Sequence, residues 1–162
     1  IYKIYEIKKI NSTTIMGKFK IYNKNSKPTK QEKETIVQFL FNHLEEYGDE
    51  KDAILKCLNF AVKDSITGLG GFVLVFSDDT ETLGITIVNK TGMEGYIPEN
   101  ILVYIAVHNH ARGKGVGKKL MQKAIEIADG DIALHVEPNN PAKILYEKLG
   151  FENKYLEMRL KK

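Results

Sequence analysis

Ile101-Leu102-Val103-Tyr104-Ile105-Ala106-Val107-His108-Asn109-His110-Ala111-Arg112-Gly113-Lys114-Gly115-Val116-Gly117 decides how the chain folds. Its first seven residues are apolar throughout, the pattern of a central strand covered on both faces. Its end is rich in glycine and lysine. Val116, Leu120, Ala124, Ile127 and Ala128 then recur at helical spacing. A strand that enters a helix through glycines brings free N–H groups and the positive end of a helix dipole to one place, an arrangement that attracts anions. Gly113, Gly115 and Gly117 allow the backbone close to a pyrophosphate, and Arg112, Lys114, Lys118 and Lys119 surround it with positive charge. Two familiar phosphate loops fit poorly. Only three residues separate Gly113 from Gly117, and Lys119 stands where a Walker loop needs Ser or Thr; the pattern G-x-G-x-G is also not the dinucleotide fingerprint.

Outward from this segment, Asp131–Val136 reads as a further strand. A helix follows, with Asn140 at its cap, Pro141 at its first position and Gly150 at its stop. Phe151–Leu160 has strand-like alternation. Toward the N-terminus, Gly71–Phe76 and Leu83–Val88 form an expected antiparallel hairpin around Ser77–Glu81. Ile54, Leu55, Leu58, Ala61 and Val62 stripe one helix. Ile36, Phe39, Leu40, His43, Leu44 and Tyr47 stripe another, opened by the capping-box pair Thr29 and Glu32 and broken at Gly48-Asp49. Ile1–Ile10 and Thr14–Tyr22 read as strands, and Asn23–Pro28 as a loop. The sum is an α/β (α+β) chain with a mixed sheet: antiparallel strands first, then a β-α-β unit.

The 162 residues suit a single domain, 1–162, and the 43% hydrophobic and 28% charged fractions are those of an ordinary globular protein. A net charge of +3, with lysines and acids mixed, offers no basic stripe for nucleic acid. The single cysteine, Cys57, excludes an internal disulfide framework. No apolar run is long enough to span a bilayer and no signal-peptide pattern opens the chain, so the expectation is a cytoplasmic protein without membrane or nucleic-acid partners. A homodimer stays open.

Arg112-Gly113-Lys114-Gly115-Val116-Gly117 is similar to the [Gln/Arg]-x-x-Gly-x-[Gly/Ala] signature of the GNAT N-acetyltransferase superfamily. Asn139-Asn140-Pro141-Ala142-Lys143-Ile144-Leu145-Tyr146-Glu147-Lys148-Leu149-Gly150-Phe151 resembles that family's Asn-x-x-Ala-x-x-Leu-Tyr-x-x-x-Gly-Phe segment. The close likeness covers Ile101–Phe151. The first hundred residues agree only in element order, and Asn109 departs from the proline many relatives carry. The resemblance implies a GNAT-like fold and transfer of an acetyl group from acetyl-CoA to a primary amine of a small molecule, peptide or protein. It implies that the amides of Arg112, Gly113, Lys114, Gly115, Val116, Gly117 and Lys118 hold the pyrophosphate, and that Ile105, Ala106 and Val107 bind the pantetheine arm and the thioester carbonyl. It places Asn139 on the cofactor arm, a role that competes with helix capping, and makes Tyr146 the general acid, against the alternative of a core tyrosine. The base is not fixed: Glu99 is the leading candidate, with Glu94, Tyr104 and ordered water as others. A cofactor-binding sensor without transfer activity, or a transferase for another acyl chain, are the competing functions.

His108 and His110, and likewise His135 and Glu137, alternate in a way that can bind zinc, but no third ligand is evident and no metal is expected. The acids Glu45, Glu46, Asp49 and Glu50 lie between the first two helices and read by default as a solvated helix end; the resemblance implies that this junction often borders the acceptor groove, where they would attract a cationic amine.

Overall fold

The computed structural model describes residues 15–162. The strand expected over Ile1–Ile10 therefore lies outside the described residues, as does the start of the one expected from Thr14. Its remainder is β1, Lys18–Tyr22. α1 runs Lys30–Leu44 and opens with the predicted capping box, Thr29 Oγ1 accepting from Glu32 N–H and the Glu32 carboxylate accepting from Thr29 N–H. A 3₁₀ turn, Glu45–Tyr47, leads into α2, Lys51–Ala61. Ile54, Leu58, Ala61 and Val62 of the expected stripe are buried, whereas Leu55 turns outward. β2, Gly71–Ser77, and β3, Thr82–Lys90, form the hairpin, with the Asp78 carboxylate accepting from the amides of Thr80 and Glu81 to close its turn.

β4, Asn100–Val107, lies between β3 and β5, Ile132–Leu134, and the sheet order is β1-β2-β3-β4-β5. All pairs are antiparallel except β4 with β5. That parallel pair encloses α3, Val116–Ile127, and so forms the expected β-α-β unit. α4, Ala142–Lys148, starts where Asn140 Oδ1 accepts from Ala142 N–H and stops at Gly150 with φ +93°. Asn140 is thus the capping asparagine, and Asn139 beside it is exposed.

Two cores flank the sheet. Ile36, Leu40, Ile54 and Leu58 of α1 and α2 pack on one face with Ile85, Tyr104 and Ala106. Val116, Leu120, Met121 and Ala124 of α3, with Tyr146 of α4, pack on the other with Leu74, Leu83 and Leu102. Gly84 lets α3 seat closely, since a Cβ there would stand 2.7 Å from Leu120 Cδ1 and 3.0 Å from Val116 Cγ1. A bulge sets the orientation of β4: Ile87 pairs with Tyr104 but Val88 with Leu102, leaving Val103 extra. Leu102 and Tyr104 therefore face opposite cores, although residues two apart on a regular strand share a face.

The closing strand expected over Phe151–Leu160 does not form. The segment follows α4 as irregular backbone, and Tyr155, Leu156, Met158 and Leu160 are all exposed. Alternation describes which side chains share a face. It supplies no partner for the backbone, and without a paired ladder an alternating segment has no reason to remain a strand.

Candidate active site

β5 pairs with β4 only as far as Leu102↔Leu134, so β4 continues from Val103 to Val107 with no neighbour on that side among the described residues. The direction of the unused backbone groups follows from one bond. His108 N–H donates to Leu83 C=O, and alternation along an antiparallel ladder then directs Tyr104 and Ala106 toward β3. Ile105 and Val107 direct theirs to the open edge. Of these, Val107 C=O accepts from Arg112 Nε at 3.3 Å. The open edge ends at the glycine loop, beyond a 3₁₀ turn at Asn109–Ala111.

Within that loop the amides fall into two groups. Arg112 N–H is spent on Asn109 C=O at 3.4 Å. The amides of Gly113, Lys114, Gly115, Val116, Gly117 and Lys118 have no hydrogen-bond partner among the described residues, and the first internal bond of α3 is Lys119 N–H to Gly115 C=O. Gly113 and Gly115 hold φ +72° and +84°, values that a β-branched residue rarely adopts. Both are open, with no atom within 4 Å of where a Cβ would stand. Arg112 is expected from sequence to offer its amide; its guanidinium instead ties the loop to the end of α1, donating to His43 C=O at 2.9 Å and to Glu45 at 3.1 Å.

Tyr146 is buried, in one cluster with Val116 and Leu120 and with the partly buried Ile105 and Val107. Its hydroxyl has no hydrogen-bond partner among the described residues, and burial pushes its pKa up to about 12. Asn139 is exposed, its amide outside any hydrogen bond among the described residues. Glu99 is elsewhere: it precedes β4 at the end remote from the glycine loop. One carboxylate oxygen accepts from Gly95 N–H at 3.1 Å and the other from Asp131 N–H at 2.7 Å. These amides hold its carboxyl below the usual range.

A different carboxylate meets the middle of β4. Tyr104 donates its hydroxyl to Asp49 Oδ2 at 2.6 Å, joining the strand to the acidic segment before α2. Burial, then the Asp49 carboxylate, raises the Tyr104 pKa well above its ordinary value. The sequence shows Asp49 and Tyr104 as separate candidates; 55 positions apart, they carry no mutual signal. Cys57 lies near this pair with its thiol raised to about 12 by burial and with Asn89 donating to its sulfur, a packed side chain rather than a nucleophile.

An open edge beside a helix N-terminus with unspent amides is an arrangement that suits an anionic ligand with an extended arm. A family model described as Acetyltransferase (GNAT) domain matches residues 69–153, more than half of the chain. The chain belongs to the GNAT acetyltransferases, and is an N-acetyltransferase by that membership.

Among solved structures, a transcriptional regulator from Bacillus halodurans C-125 is 20% identical, with a TM-score of 0.65 over 90% of this chain and 99% of its own. The aminoglycoside N-acetyltransferase AAC(6')-Iy, solved in complex with CoA, is 17% identical, with a TM-score of 0.63 over 91% of this chain and 97% of its own. A histone acetyltransferase HPA2 and related acetyltransferase from Corynebacterium glutamicum ATCC 13032 is 19% identical, with a TM-score of 0.58 over 90% of each chain. At these identities the likeness is one of fold. No curated protein sequence matches the chain. Among the described residues, no helix is long and apolar enough to cross a membrane.

Proposed function

We propose that the chain transfers the acetyl group of acetyl-CoA to a primary amine. The observation that carries this reading is the run of unspent amides from Gly113 to Lys118 at the end of an unpaired strand edge. In the proposed complex those amides and the α3 dipole receive the diphosphate. The backbone of Ile105 and Val107 receives the pantetheine arm. An N–H on that edge faces the thioester oxygen, where a fixed donor stabilises the charge that develops during attack. Asn139 is free to meet the arm, because Asn140 already caps α4. The CoA complex of the aminoglycoside N-acetyltransferase neighbour, and its complex with a bisubstrate analogue, support the same co-substrate here.

The amine nitrogen attacks the thioester carbon, the C–S bond breaks, and the electron pair leaves with sulfur. Tyr146 is assigned to that sulfur. A hydroxyl at about 12 facing a thiol near ~8.5 gives up its proton only uphill, by roughly 3.5 pKa units. Tyr146 therefore acts as a hydrogen-bond donor to the departing thiolate, which leaves as the anion and equilibrates with the protons of the buffered solvent once released.

Asp49 replaces Glu99 as the acceptor-side carboxylate. Glu99 has both oxygens committed to backbone amides, whereas Asp49 has no partner for Oδ1 among the described residues while Tyr104 fixes its orientation. It binds the cationic amine and takes the proton that must leave before attack. This pair also favours catalysis over a sensor that merely binds the cofactor. Calorimetric titration with CoA tests the central claim: saturable binding is expected, and no heat at millimolar CoA overturns it. Release of free thiol from acetyl-CoA in the presence of an amine panel tests the transfer.

A further inference from the structure

Beside the acyl site, the turn between β2 and β3 meets the segment that leads from β4 into the glycine loop. Among the described residues, Glu81, His108 and His110 present one ligand atom each, all within 4.8 Å of one another. His110 Nε2 lies 3.2 Å from Glu81 Oε1 and His108 Nε2 lies 3.7 Å from Glu81 Oε2. Ligands at the ~2.1 Å bond length of zinc, set at tetrahedral angles, stand about 3.4 Å apart. The two measured separations, one to each oxygen of the Glu81 carboxylate, lie within a few tenths of an ångström of that distance.

The rings are also oriented. His108 packs at a tilt against His43, with centroids 4.4 Å apart, and near Phe39 at 6.3 Å, while its Nδ1 is buried with no partner among the described residues. Packing therefore leaves Nε2 as the nitrogen that His108 can offer. Glu81 and His110 are about half exposed, at 43% and 50%, so an ion has a path in and water has room to complete its shell.

We propose that Glu81, His108 and His110 form a binding site for a borderline-soft divalent transition metal, zinc in the first instance. Two imidazoles and one carboxylate suit zinc and its neighbours, while hard cations such as magnesium favour all-oxygen sets. The ion clasps the β2–β3 turn to the strand end from which Arg112 and the glycine loop depart. The third ligand comes from the β2–β3 turn, 27 residues before His108, which is why an H-x-H reading alone finds only two.

The test is zinc uptake by chelator-stripped, tag-free protein, measured by competition with a chromophoric chelator. One zinc per chain is expected, with affinity weakened at least tenfold in Glu81→Gln and in His110→Ala, both exposed positions that leave the core intact. His135→Ala is expected to bind like the wild type. Zinc is expected to raise the melting temperature of the wild type but not of His110→Ala, since only a ligand of the native state stabilises it. Absence of stoichiometric uptake by the wild type overturns the proposal, as does uptake unchanged in both ligand variants or lost in His135→Ala. Neither CoA binding nor acetyl transfer enters these readouts, so the metal site and the acyl site stand or fall separately.

Discussion

In the proposed complex the two sides of β4 recognise their partners by different means. On the α3 side the instruments are backbone: amides from Gly113 to Lys118 and the unpaired edge at Ile105 and Val107. On the α1–α2 side they are side chains, with Tyr104 holding Asp49. Backbone recognition of an anion demands a particular conformation, and only glycine adopts positive φ at little cost, so the demand leaves a local spelling in the sequence. Side-chain recognition demands only that two groups meet, and many pairs of positions can satisfy it. The comparison breaks most directly at Asp49. Asp49→Asn keeps the shape and the hydrogen bond from Tyr104 but removes the charge and the base. Turnover per unit of amine, kcat/KM, is expected to fall by roughly 10²–10⁴. CoA affinity measured by calorimetry stays within about twofold, as expected where distant sites are independent. A matching loss of CoA affinity would show that the two sides are not independent.

The converse variant is Gly115→Val. Gly115 holds φ +84° with open space around it, so the strain is in the backbone and not in a clash. Forcing a β-branched residue into that region costs about 1–3 kcal/mol, and the loop is expected to escape it by rotating its amides away from the diphosphate. CoA binding then weakens by roughly tenfold to a hundredfold at little cost to the melting temperature. Loss of fold instead of affinity would mean that the loop serves α3 first and the ligand second.

Tyr146→Phe is expected to act more mildly, because it deletes one hydrogen bond to a charged leaving group, worth about 1.5–3 kcal/mol. That predicts a fall in kcat of roughly tenfold to a hundredfold, with CoA affinity preserved. Its pH dependence has a definite sign. Burial raises the Tyr146 pKa from 10.0 to about 12, so the hydroxyl keeps its proton across the whole neutral and mildly alkaline range. The ratio of wild-type to Tyr146→Phe rates should be flat from neutral pH to about pH 11 and should narrow only above it. A ratio that declines near pH 9 would assign the proton to another group.

What the sequence spelled out follows the same division. The strand–glycine–helix order, the cap at Thr29 and the stop at Gly150 are local and were legible. The strand expected over Phe151–Leu160 was not to be had from alternation, because a strand needs a partner and the sequence names none. Glu99 was attractive for standing just before β4, yet the folded chain turns its carboxylate onto Gly95 and Asp131. Asp49 and Tyr104 were each visible, but only the path of the chain through α2, β2 and β3 brings them within 2.6 Å. Arg112 shows how one residue can belong to both schemes: its place in the glycine motif is local, while its bonds to His43 and Glu45 are tertiary.

The smallest effect is expected at Thr29, and its value lies in where α1 points. Thr29 caps the start of α1, and Glu32, which completes the box, also accepts from Lys20 Nζ at 2.5 Å. The other end of the same helix delivers His43 C=O to Arg112, with Glu45 immediately after it. Thr29→Ala removes the side-chain acceptor for the Glu32 amide and should cost about 1 kcal/mol, a drop of about 2–4 °C in melting temperature for a chain of this size. Ile36, Val37, Phe39 and Leu40 stay anchored in the core, so fraying at the first turn has no rigid route to the last. Both CoA affinity and the KM for amine should therefore hold within about twofold, as distant and separately packed sites usually do. A KM for amine that rises fivefold while CoA affinity holds would mean that α1 moves as one body against β4, and that the acceptor side is a hinged wall instead of a fixed one.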